Sequence, residues 1–402
     1  MPPILDSSHP LGAHLAGIKY PHADILGVAD RLPEDEQSKL ATIHEFLQTE
    51  IRPVVGEFWD REELPFDLLP TMAAHGLGEI ELSGTSRLYR GLVYAEVTRA
   101  DVSLSALVGI HNELVVGLID KLGSDAQKKE WLPGLRQFEK VGCFALTEPD
   151  HGSDIAGGLA ATAEKTADGW VINGAKRWIG AGTFADFSIC FARDIEDNDI
   201  KAFIVEHNRE GVTTQKIARK MGLRIMQNAD INYDNVVIPH ENLIPGAETF
   251  ANVNDFLCYS RAWVGWQGAG IQLGIFDKAR EYAVKREQFG RPIAKFQLVQ
   301  EQLARILGNA TASLAMMAQV AEVQEKGLLE MPFAALAKAT TTRLARESAA
   351  AGRNIGGGNG ILTEYDLSKF MSDAEVLFTY EGTYDINSLI VGRAVTGVSA
   401  FV

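Results

Sequence analysis

The stretch FTYEGTYDIN at 378–387 places one carboxylate where it could act as a base. Glu381 lies between Tyr380 and Gly382 in this stretch. A carboxylate in a dry pocket accepts a proton more readily than one in water, because it has lost its solvation. Taken alone, a glutamate beside a glycine is also typical of a solvated loop. The rest of the sequence must therefore decide between a catalytic base and an ordinary loop residue.

A second polar stretch, CFALTEPDHGSD at 143–154, could bind a ligand rich in hydrogen-bond acceptors. It carries hydroxyl and carboxyl groups around a proline and a glycine, where free backbone N–H groups are expected. These polar residues are Thr147, Glu148, Ser153 and Asp154. An ordinary polar turn has the same composition, and composition alone favours the turn.

The glycine-rich stretches favour structural roles. GWQGAGIQLG at 265–274 contains G-x-G, but it lies in a helical pattern without a preceding strand, so we interpret its glycines as packing residues. GGGNG at 356–360 follows a predicted helix and indicates a helix C-cap, or a close approach of the backbone to a ligand. The GxSxG, HExxH and Walker signatures are missing from the sequence.

Composition and charge argue against several classes of partner. The 402 residues carry a net charge of -15, which does not suit a surface adapted to nucleic acid or to anionic lipid. Cys143, Cys190 and Cys258 are far apart and form no CxxC pair, a pattern typical of a reducing compartment. We expect neither a disulfide framework nor a metal site.

The sequence contains no recognisable targeting segment. The first residues lack the basic region and apolar run of a signal peptide, and the final SAFV is not a peroxisomal address. We also expect that no apolar run is long enough to span a bilayer. These features predict a cytoplasmic enzyme with no membrane partner.

The elements that must position these residues are predicted in the order α, β, α. We expect an N-terminal helical domain at 1–140, irregular over 1–30, then a middle β domain at 141–245 and a C-terminal helical bundle at 246–402. The DG turn of KTADGWVINGAKRWIG indicates a hairpin in the β domain. A helix is predicted to start at Pro33, and further helices are predicted over 66–75, 87–99, 103–121, 125–137, 252–281, 295–326, 332–354 and 364–376.

Five separated motifs resemble, in order and spacing, those of the acyl-CoA dehydrogenase and oxidase superfamily. They are TEPDHGSD, GAKRWIGAGTFAD, KREQFGRPIAKFQ, GGGNG and TYEGTYDI, and the resemblance covers residues 30–402. The sequence is most similar to the glutaryl-CoA dehydrogenase branch and to plant-type short-chain acyl-CoA oxidases. The resemblance implies a mostly α fold with an N-terminal helical domain, a middle β-barrel-like domain and a C-terminal four-helix bundle.

The resemblance also implies the chemistry. In this family FAD takes a hydride from the β-carbon of an acyl-CoA while a glutamate removes an α-proton, giving the trans-2-enoyl-CoA. Glu381 matches that base, and its backbone N–H would help to polarise the thioester carbonyl. Gly382 would let the substrate approach the backbone closely.

FAD-binding roles carry over to three groups of residues. One group would line the flavin: Phe144, Leu146, Thr147, Ser153, Trp178 and Ile179. A second would reach the FAD of a neighbouring subunit: Arg286, Phe289, Gln297, Asn354, Gly357 and Gly358. A third follows the base: Thr383 and Asp385. Because a second chain completes such a site, the resemblance implies a homotetramer.

Substrate-binding roles carry over to Ser153, Arg261, Tyr380 and Gly382. Ser105 stands where glutaryl-CoA dehydrogenases have an arginine for the distal carboxylate, which argues against glutaryl-CoA because a buried charge without a partner is costly. Trp266 and Tyr380 suggest a short cavity for an acyl chain of roughly four to six carbons. Gly180 stands where many relatives have Thr or Ser, so one contact to the flavin is expected to be lost.

These observations predict a short-chain acyl-CoA dehydrogenase that passes electrons to an electron-transfer flavoprotein. A short-chain acyl-CoA oxidase, which reduces O₂ to H₂O₂, shares the first half of the reaction and stays an alternative. A non-catalytic flavin- or acyl-CoA-binding protein is a third alternative, although such a protein would be expected to lack the base.

Overall fold

The computed structural model describes residues 23–400. Most of the segment predicted to be irregular, residues 1–22, lies outside the described residues. The described part follows the predicted order of helices, sheet and helices. The prediction of a mostly α fold with a central β domain is therefore confirmed.

Seven α-helices precede the sheet within the described range. Two of them run on through π-helical segments, at Leu47–Ile51 and at Ile110–Val116, which the sequence did not predict. The predicted helix over 66–75 begins with a 3₁₀ turn at Phe66–Leu68. The helices are α1 (Glu34–Phe46), α2 (Arg52–Arg61), α3 (Leu69–Ala74), α4 (Arg87–Ala100), α5 (Val102–Gly109), α6 (Gly117–Leu122) and α7 (Asp125–Arg136).

The middle of the chain forms a curled, seven-stranded sheet. Its strands are β1 (Gly142–Ala145), β2 (Thr162–Lys165), β3 (Trp170–Ile179), β4 (Phe187–Asp194), β5 (Ile200–Glu206), β6 (Val212–Lys216) and β7 (Ala229–Ile238), and a short helix α8 (Ile155–Gly158) precedes β2. β4 pairs with β5 on one side and with β1 and β2 on the other, and the order then continues to β3, β7 and β6. The predicted hairpin is the antiparallel pair β2–β3.

Five helices and a two-stranded hairpin follow the sheet. They are α9 (Phe250–Lys285), β8 (Glu287–Gln288), β9 (Arg291–Pro292), α10 (Gln297–Glu325), α11 (Met331–Ile355), α12 (Leu367–Thr379) and α13 (Tyr384–Thr396). The sequence analysis missed α13. Its caps could have revealed it, because the Thr383 hydroxyl accepts a hydrogen bond from the Ile386 N–H and Gly397 adopts a left-handed conformation.

Helix α9 is the central element of the helical part. Its 36 residues span about 54 Å and contact α4, α10, α11 and α12. A Cβ added at Gly268 would lie 2.5 Å from the Thr341 hydroxyl, and one at Gly274 would lie 2.7 Å from the Arg99 carbonyl oxygen. The prediction that these glycines serve packing is therefore confirmed, because the helix axes could not approach so closely with larger residues.

A buried ion-pair network joins three regions of the chain. Lys369 of α12 lies 2.5 Å from the carboxylate of Asp101, which caps α5, and 3.6 Å from the carboxylate of Asp373. Asp373 also accepts hydrogen bonds from the Trp59 indole and from the backbone N–H of Leu223. Helices at both ends of the chain and a loop of the β domain are therefore fixed to one buried charge cluster.

One continuous helical stretch, Val102–Leu122, is long and apolar enough to cross a membrane, which corrects the expectation that no such run exists. The most apolar part of it is 94% buried inside the protein, so its apolarity is explained by packing on several sides.

A matched pair of glycine substitutions tests the close packing of α9. In Gly270→Ala the new Cβ would lie 2.8 Å from the Ala95 Cα, so we expect the free energy of unfolding to fall by about 1–3 kcal/mol. Gly308→Ala on α10 meets no atom within 4 Å and should leave stability equal or raise it by up to about 1 kcal/mol. Urea unfolding measures both, and equal effects would contradict the packing role.

Candidate active site

Glu381 lies in a tight turn between α12 and α13. Its backbone φ is +53°, and that of Gly382 is +79°. A left-handed conformation is uncommon for residues other than glycine, so surrounding contacts must hold Glu381 in place. Among the described residues, no acceptor takes the Glu381 backbone N–H. The turn therefore presents a carboxylate and an unengaged N–H donor together.

Helix α9 supplies the side chains that face this carboxylate. The buried Ser260 hydroxyl donates a hydrogen bond to Glu381 Oε2 at 2.7 Å. Arg261 is the next residue, and its Nη2 would lie 3.6 Å from a Cβ added at Gly382. Burial lowers the pKa of Arg261, while the nearby Glu381 carboxylate opposes this effect. One hydroxyl and one guanidinium therefore lie beside the base.

Two fully buried side chains hold the backbone carbonyls of the turn. Lys338 Nζ donates to the Gly382 carbonyl at 2.7 Å. Asn387 Nδ2 donates to the same carbonyl at 2.8 Å. Because both donors come from helices packed around the turn, they fix the backbone that carries Glu381.

A chain of polar groups leads from the turn into the core. The Tyr380 hydroxyl donates to Gln267 Oε1, and Gln267 Nε2 donates to the Ser105 hydroxyl at 3.0 Å. Ser105 also shares a hydrogen bond of 2.6 Å with the Thr98 hydroxyl. Burial, reinforced by the Glu381 charge, raises the pKa of Tyr380 well above its ordinary value, so Tyr380 stays a neutral donor. Ser105 is thus neutral and fully paired.

The TEPDHGSD loop is anchored by a buried ion pair. Lys176 of β3 is 0% exposed and lies 2.8 Å from the Glu148 carboxylate. Glu148 also accepts hydrogen bonds from the backbone N–H groups of Ala160 and Ala161. Burial alone would raise the pKa of Glu148, but the Lys176 charge and these donors lower it. Glu148 therefore holds the loop, while Ser153 and Asp154 are exposed.

Trp178 turns an aromatic face out of the sheet at the end of β3. Its indole is 53% exposed, and its backbone φ is +66°, a strained value for a bulky residue. Asn228 donates to the Trp178 carbonyl, and the Arg177 guanidinium lies 5.0 Å from the ring centre. A strand tryptophan is usually part of the core, so this exposed face is a candidate wall for a planar ligand.

Successive packing contacts lead from the end of β3 to the Glu381 turn. A Cβ added at Gly180 would lie 2.6 Å from Ile110 Cδ1, so Ile110 fills the space of the missing side chain. The preceding residue, Gly109, packs against the Trp263 indole, whose ring centre lies 6.2 Å from that of Tyr380. These contacts link Gly180, which follows the predicted flavin-lining residues Trp178 and Ile179, to Tyr380, which precedes Glu381.

The second predicted FAD group lies elsewhere on the chain. Arg286 follows α9 at 25 residues from Arg261, about 37 Å along the helix. Phe289 is 92% exposed and packs only edge-on against Phe296. Asn354 pairs with Gln302 at the same end of the bundle. Gln297, Gly357 and Gly358 are exposed there as well. One chain does not bring this group to its own Glu381.

The remaining predicted residues lie near the turn or the sheet. The Thr383 hydroxyl caps α13, and Asp385 is exposed in the first turn of that helix. Phe144 packs against Phe191 with ring centres 4.8 Å apart. Leu146 and Ile179 are buried, and the Thr147 carbonyl accepts from the Arg177 N–H at 2.8 Å.

Trp266, expected with Tyr380 to bound a short acyl cavity, lies on the side of α9 that faces α4. Its indole packs against Gly91 of α4, where an added Cβ would meet the ring. Trp263, one turn earlier on α9, is the indole that lies near Tyr380. The part of Trp266 in an acyl cavity therefore stays a prediction.

An open groove of about 480 Å³ begins beside the turn. Arg261 and Arg393 supply its two cationic side chains, and Asn254 is polar. The remaining lining residues are Met331, Pro332, Ile390, Ala394 and Gly397. The groove could therefore take an extended ligand with anionic groups. Among the described residues no cluster suited to a metal ion is found.

Three family models match the chain. They describe the N-terminal, middle and C-terminal domains of acyl-CoA dehydrogenase, and they match residues 33–139, 143–236 and 250–396. The chain belongs to the acyl-CoA dehydrogenase family, and it is an oxidoreductase that acts on CH–CH donors. The predicted family is therefore confirmed, while the roles of individual residues stay predictions.

Individual relatives are similar over nearly the whole chain. The short-chain specific mitochondrial acyl-CoA dehydrogenase of Mus musculus is 32% identical over 94% of this chain and 97% of that protein. The glutaryl-CoA dehydrogenase of Mycobacterium smegmatis in complex with FADH2 has a TM-score of 0.90 at 29% identity, over 94% of this chain and 99% of that one. Butyryl-CoA dehydrogenase of Megasphaera elsdenii has a TM-score of 0.85 at 28% identity, over 90% of this chain and 98% of that one.

The cofactor of the family is FAD, and the predicted cofactor is confirmed at that level. The residues of this chain fit such a group. Trp178 offers an exposed aromatic face, and the N–H of Glu381 is unengaged. Gly357 and Gly358 leave open space where side chains would project.

Four residues around Glu381 were not predicted from the sequence: Ser260, Gln267, Lys338 and Asn387. Three of them lie on helices whose patterns predicted ordinary packing. A signal was available for Lys338, because a lysine within the alanine-rich stretch FAALAKAT breaks an otherwise small and apolar pattern. Asn387 is four residues into α13, the helix that the sequence analysis also missed.

Removing the Ser260 hydroxyl tests whether α9 holds the carboxylate. We expect Ser260→Ala to lower kcat with an acyl-CoA roughly 10-fold, because one hydrogen bond to a charged group is lost. Ser260→Thr keeps the hydroxyl and serves as the control. Steady-state kinetics measure both variants, and an unchanged kcat in Ser260→Ala would show that this contact does not orient the base.

Proposed function

We propose that the protein catalyses the FAD-dependent α,β-dehydrogenation of a short-chain acyl-CoA, with Glu381 as the base. The observation that carries the proposal is the Glu381 turn, which presents a carboxylate held by Ser260 and an N–H without an acceptor among the described residues. Removal of an α-proton needs both, because charge develops on the thioester oxygen as the proton leaves.

The groups around the turn have different roles in the reaction. The Glu381 carboxylate takes the α-proton, and Ser260 keeps it oriented from α9. The Glu381 N–H donates to the thioester oxygen, which lowers the energy of the enolate-like transition state. Tyr380 and Trp263 exclude water from the site, which strengthens these electrostatic contacts.

FAD, when bound, supplies the acceptor for the hydride of the β-carbon. Trp178 would pack on its ring, with Thr147 and the backbone of the TEPDHGSD loop at its polar edge. Arg286 lies about 37 Å along α9 from Arg261, which is beside the Glu381 turn, so its group would serve the cofactor of another subunit. This supports a symmetric oligomer, which we propose to be a homotetramer.

The acyl end of the site suits a short, uncharged chain. Trp263 occupies the space between Gly109 and Tyr380, which leaves little depth behind the base. Ser105 is neutral and already paired with Thr98 and Gln267, so it offers no positive charge to a distal carboxylate. A glutaryl chain would carry an unpaired charge into this region, which is costly.

The open groove suits the CoA arm. It begins at Arg261, beside the base, and its other cation is Arg393 in the last turn of α13. A pantetheine chain is extended and partly apolar, and the phosphates at its far end pair with guanidinium groups. Electron-transfer flavoprotein is the proposed electron acceptor.

Replacing the base tests the proposed function. With wild-type protein we expect butyryl-CoA to bleach the flavin absorbance. In Glu381→Gln the rate of bleaching should fall roughly 10²- to 10⁴-fold, the usual contribution of a positioned base. Glu375→Gln on α12 is the control, since Glu375 pairs with Arg346. Full activity of Glu381→Gln would refute the mechanism.

The same experiment in air identifies the electron acceptor. Bleaching that persists without added acceptor, and reverses when electron-transfer flavoprotein is added, supports the dehydrogenase. Colour that returns while hydrogen peroxide accumulates would show an acyl-CoA oxidase instead. Butyryl-CoA or longer thioesters could instead bind without bleaching the flavin, and bind equally well to Glu381→Gln. That result would indicate a non-catalytic protein.

Substitution of Arg393 tests the groove. Because Arg393 is exposed, we expect Arg393→Gln to raise KM for butyryl-CoA only roughly 3- to 10-fold. KM for butyryl-pantetheine, which lacks the distal phosphates, should not change. Arg343→Gln, an exposed arginine that pairs with Glu347, is the control. Equal effects on the two thioesters would place the CoA arm elsewhere.

A further inference from the structure

Lys338 is a cation buried directly behind the base-bearing turn. It lies on α11 and is 0% exposed. Its Nζ donates to two backbone carbonyls, those of Phe378 at 3.1 Å and Gly382 at 2.7 Å. Burying a lysine is costly unless its ammonium is well paired, so these contacts must compensate for a substantial loss of solvation.

The two carbonyls lie on either side of Glu381 in sequence. Phe378 is in the last turn of α12, where backbone carbonyls have no partner within the helix. Gly382 directly follows the base. One ammonium therefore ties the end of α12 to the strained turn, at the negative end of the helix dipole. A rotation of the turn that displaced the Phe378 or the Gly382 carbonyl would break one of these hydrogen bonds.

The two carbonyl contacts act against the electrostatic cost of burying the charge on Lys338. Burial lowers the pKa of Lys338 to about 7, although the nearby Glu381 carboxylate acts in the opposite direction. Arg261, the other cation beside the turn, lowers the Lys338 pKa further. Lys338 is thus held among Glu381, Arg261 and carbonyl dipoles, and no carboxylate forms a direct ion pair with it in the described part of the chain.

We propose that Lys338 is a positioning residue for the reaction: its ammonium holds the Glu381 turn in the left-handed conformation that aims the carboxylate and the N–H at the substrate. The inference rests on the proposed function for its catalytic consequence. The structural part, that Lys338 restrains the turn, rests on the contacts alone. Lys338 itself does not touch the substrate in this account.

The test compares Lys338→Met with Lys338→Arg and with a control at a second paired lysine. Lys338→Met keeps the length of the side chain and removes the donor, while Lys338→Arg keeps donors and charge. Lys201→Met is the control, because Lys201 is 9% exposed and pairs with Asp194 and Asp197 in the β domain. It should lower stability without affecting the turn.

Two readouts separate positioning from general stability. Hydrogen exchange followed by mass spectrometry should show faster exchange over 378–388 in Lys338→Met and no change there in Lys201→Met. With butyryl-CoA, kcat should fall roughly 10- to 100-fold in Lys338→Met, with KM changed less than about 3-fold, because the turn acts in the chemical step. Lys338→Arg should recover part of kcat.

Different results would refute the role of Lys338 and the proposed function. Unchanged exchange over 378–388, or a loss of kcat no larger than in Lys201→Met, would overturn the role of Lys338. If wild-type protein does not act on any acyl-CoA, the proposed function fails, and the exchange experiment still decides whether Lys338 restrains the turn.

Discussion

The close packing of α9 is the constraint on which the site depends. Glycines at its contacts with α4 and α11 let backbones approach to distances that a side chain would forbid. Ser260, Arg261 and Gln267 project from this one helix toward the Glu381 turn, so their positions are set by the packing of the helix as a whole. A small displacement of α9 would move all three together, and it would separate the base from the groove and from the polar chain that ends at Tyr380.

Around that helix, buried polar groups determine the local geometry. Lys369 gathers carboxylates from both helical regions, Lys176 fixes the TEPDHGSD loop through Glu148, and Lys338 holds the carbonyls beside the base. In each case a buried ammonium must be fully paired, so the groups that pair with it have few alternative positions. The Lys338 contacts lie on either side of Glu381 and help to hold its left-handed backbone conformation against the strain.

Much of the fold could be predicted from local patterns. The α, β, α order follows from the change of hydrophobic period, and the hairpin from its DG turn. Helix α13 was not predicted because its first residues belong to the stretch that was interpreted as catalytic. Thr383 and Gly397 nevertheless carry the capping signal for a helix. Glu381 was predicted to be the base because five motifs agree in order. Ser260 and Lys338 could not be found in that way, because their roles depend on contacts across more than forty residues of sequence. The sides of α9 on which Trp266 and Trp263 lie could not be predicted, because spacing alone does not give the azimuth of a helix.

The proposed function depends on removal of the substrate's α-proton by Glu381, whose backbone N–H also polarises the thioester. Exchange of that proton with solvent measures this step directly. Wild-type protein in deuterium oxide, given butyryl-CoA and no electron acceptor, should incorporate deuterium at the α-carbon, and mass spectrometry of the recovered thioester detects it. Glu381→Gln with the same flavin content should incorporate none above the uncatalysed rate. Equal incorporation by the two proteins would contradict the account, because another group would then be the base.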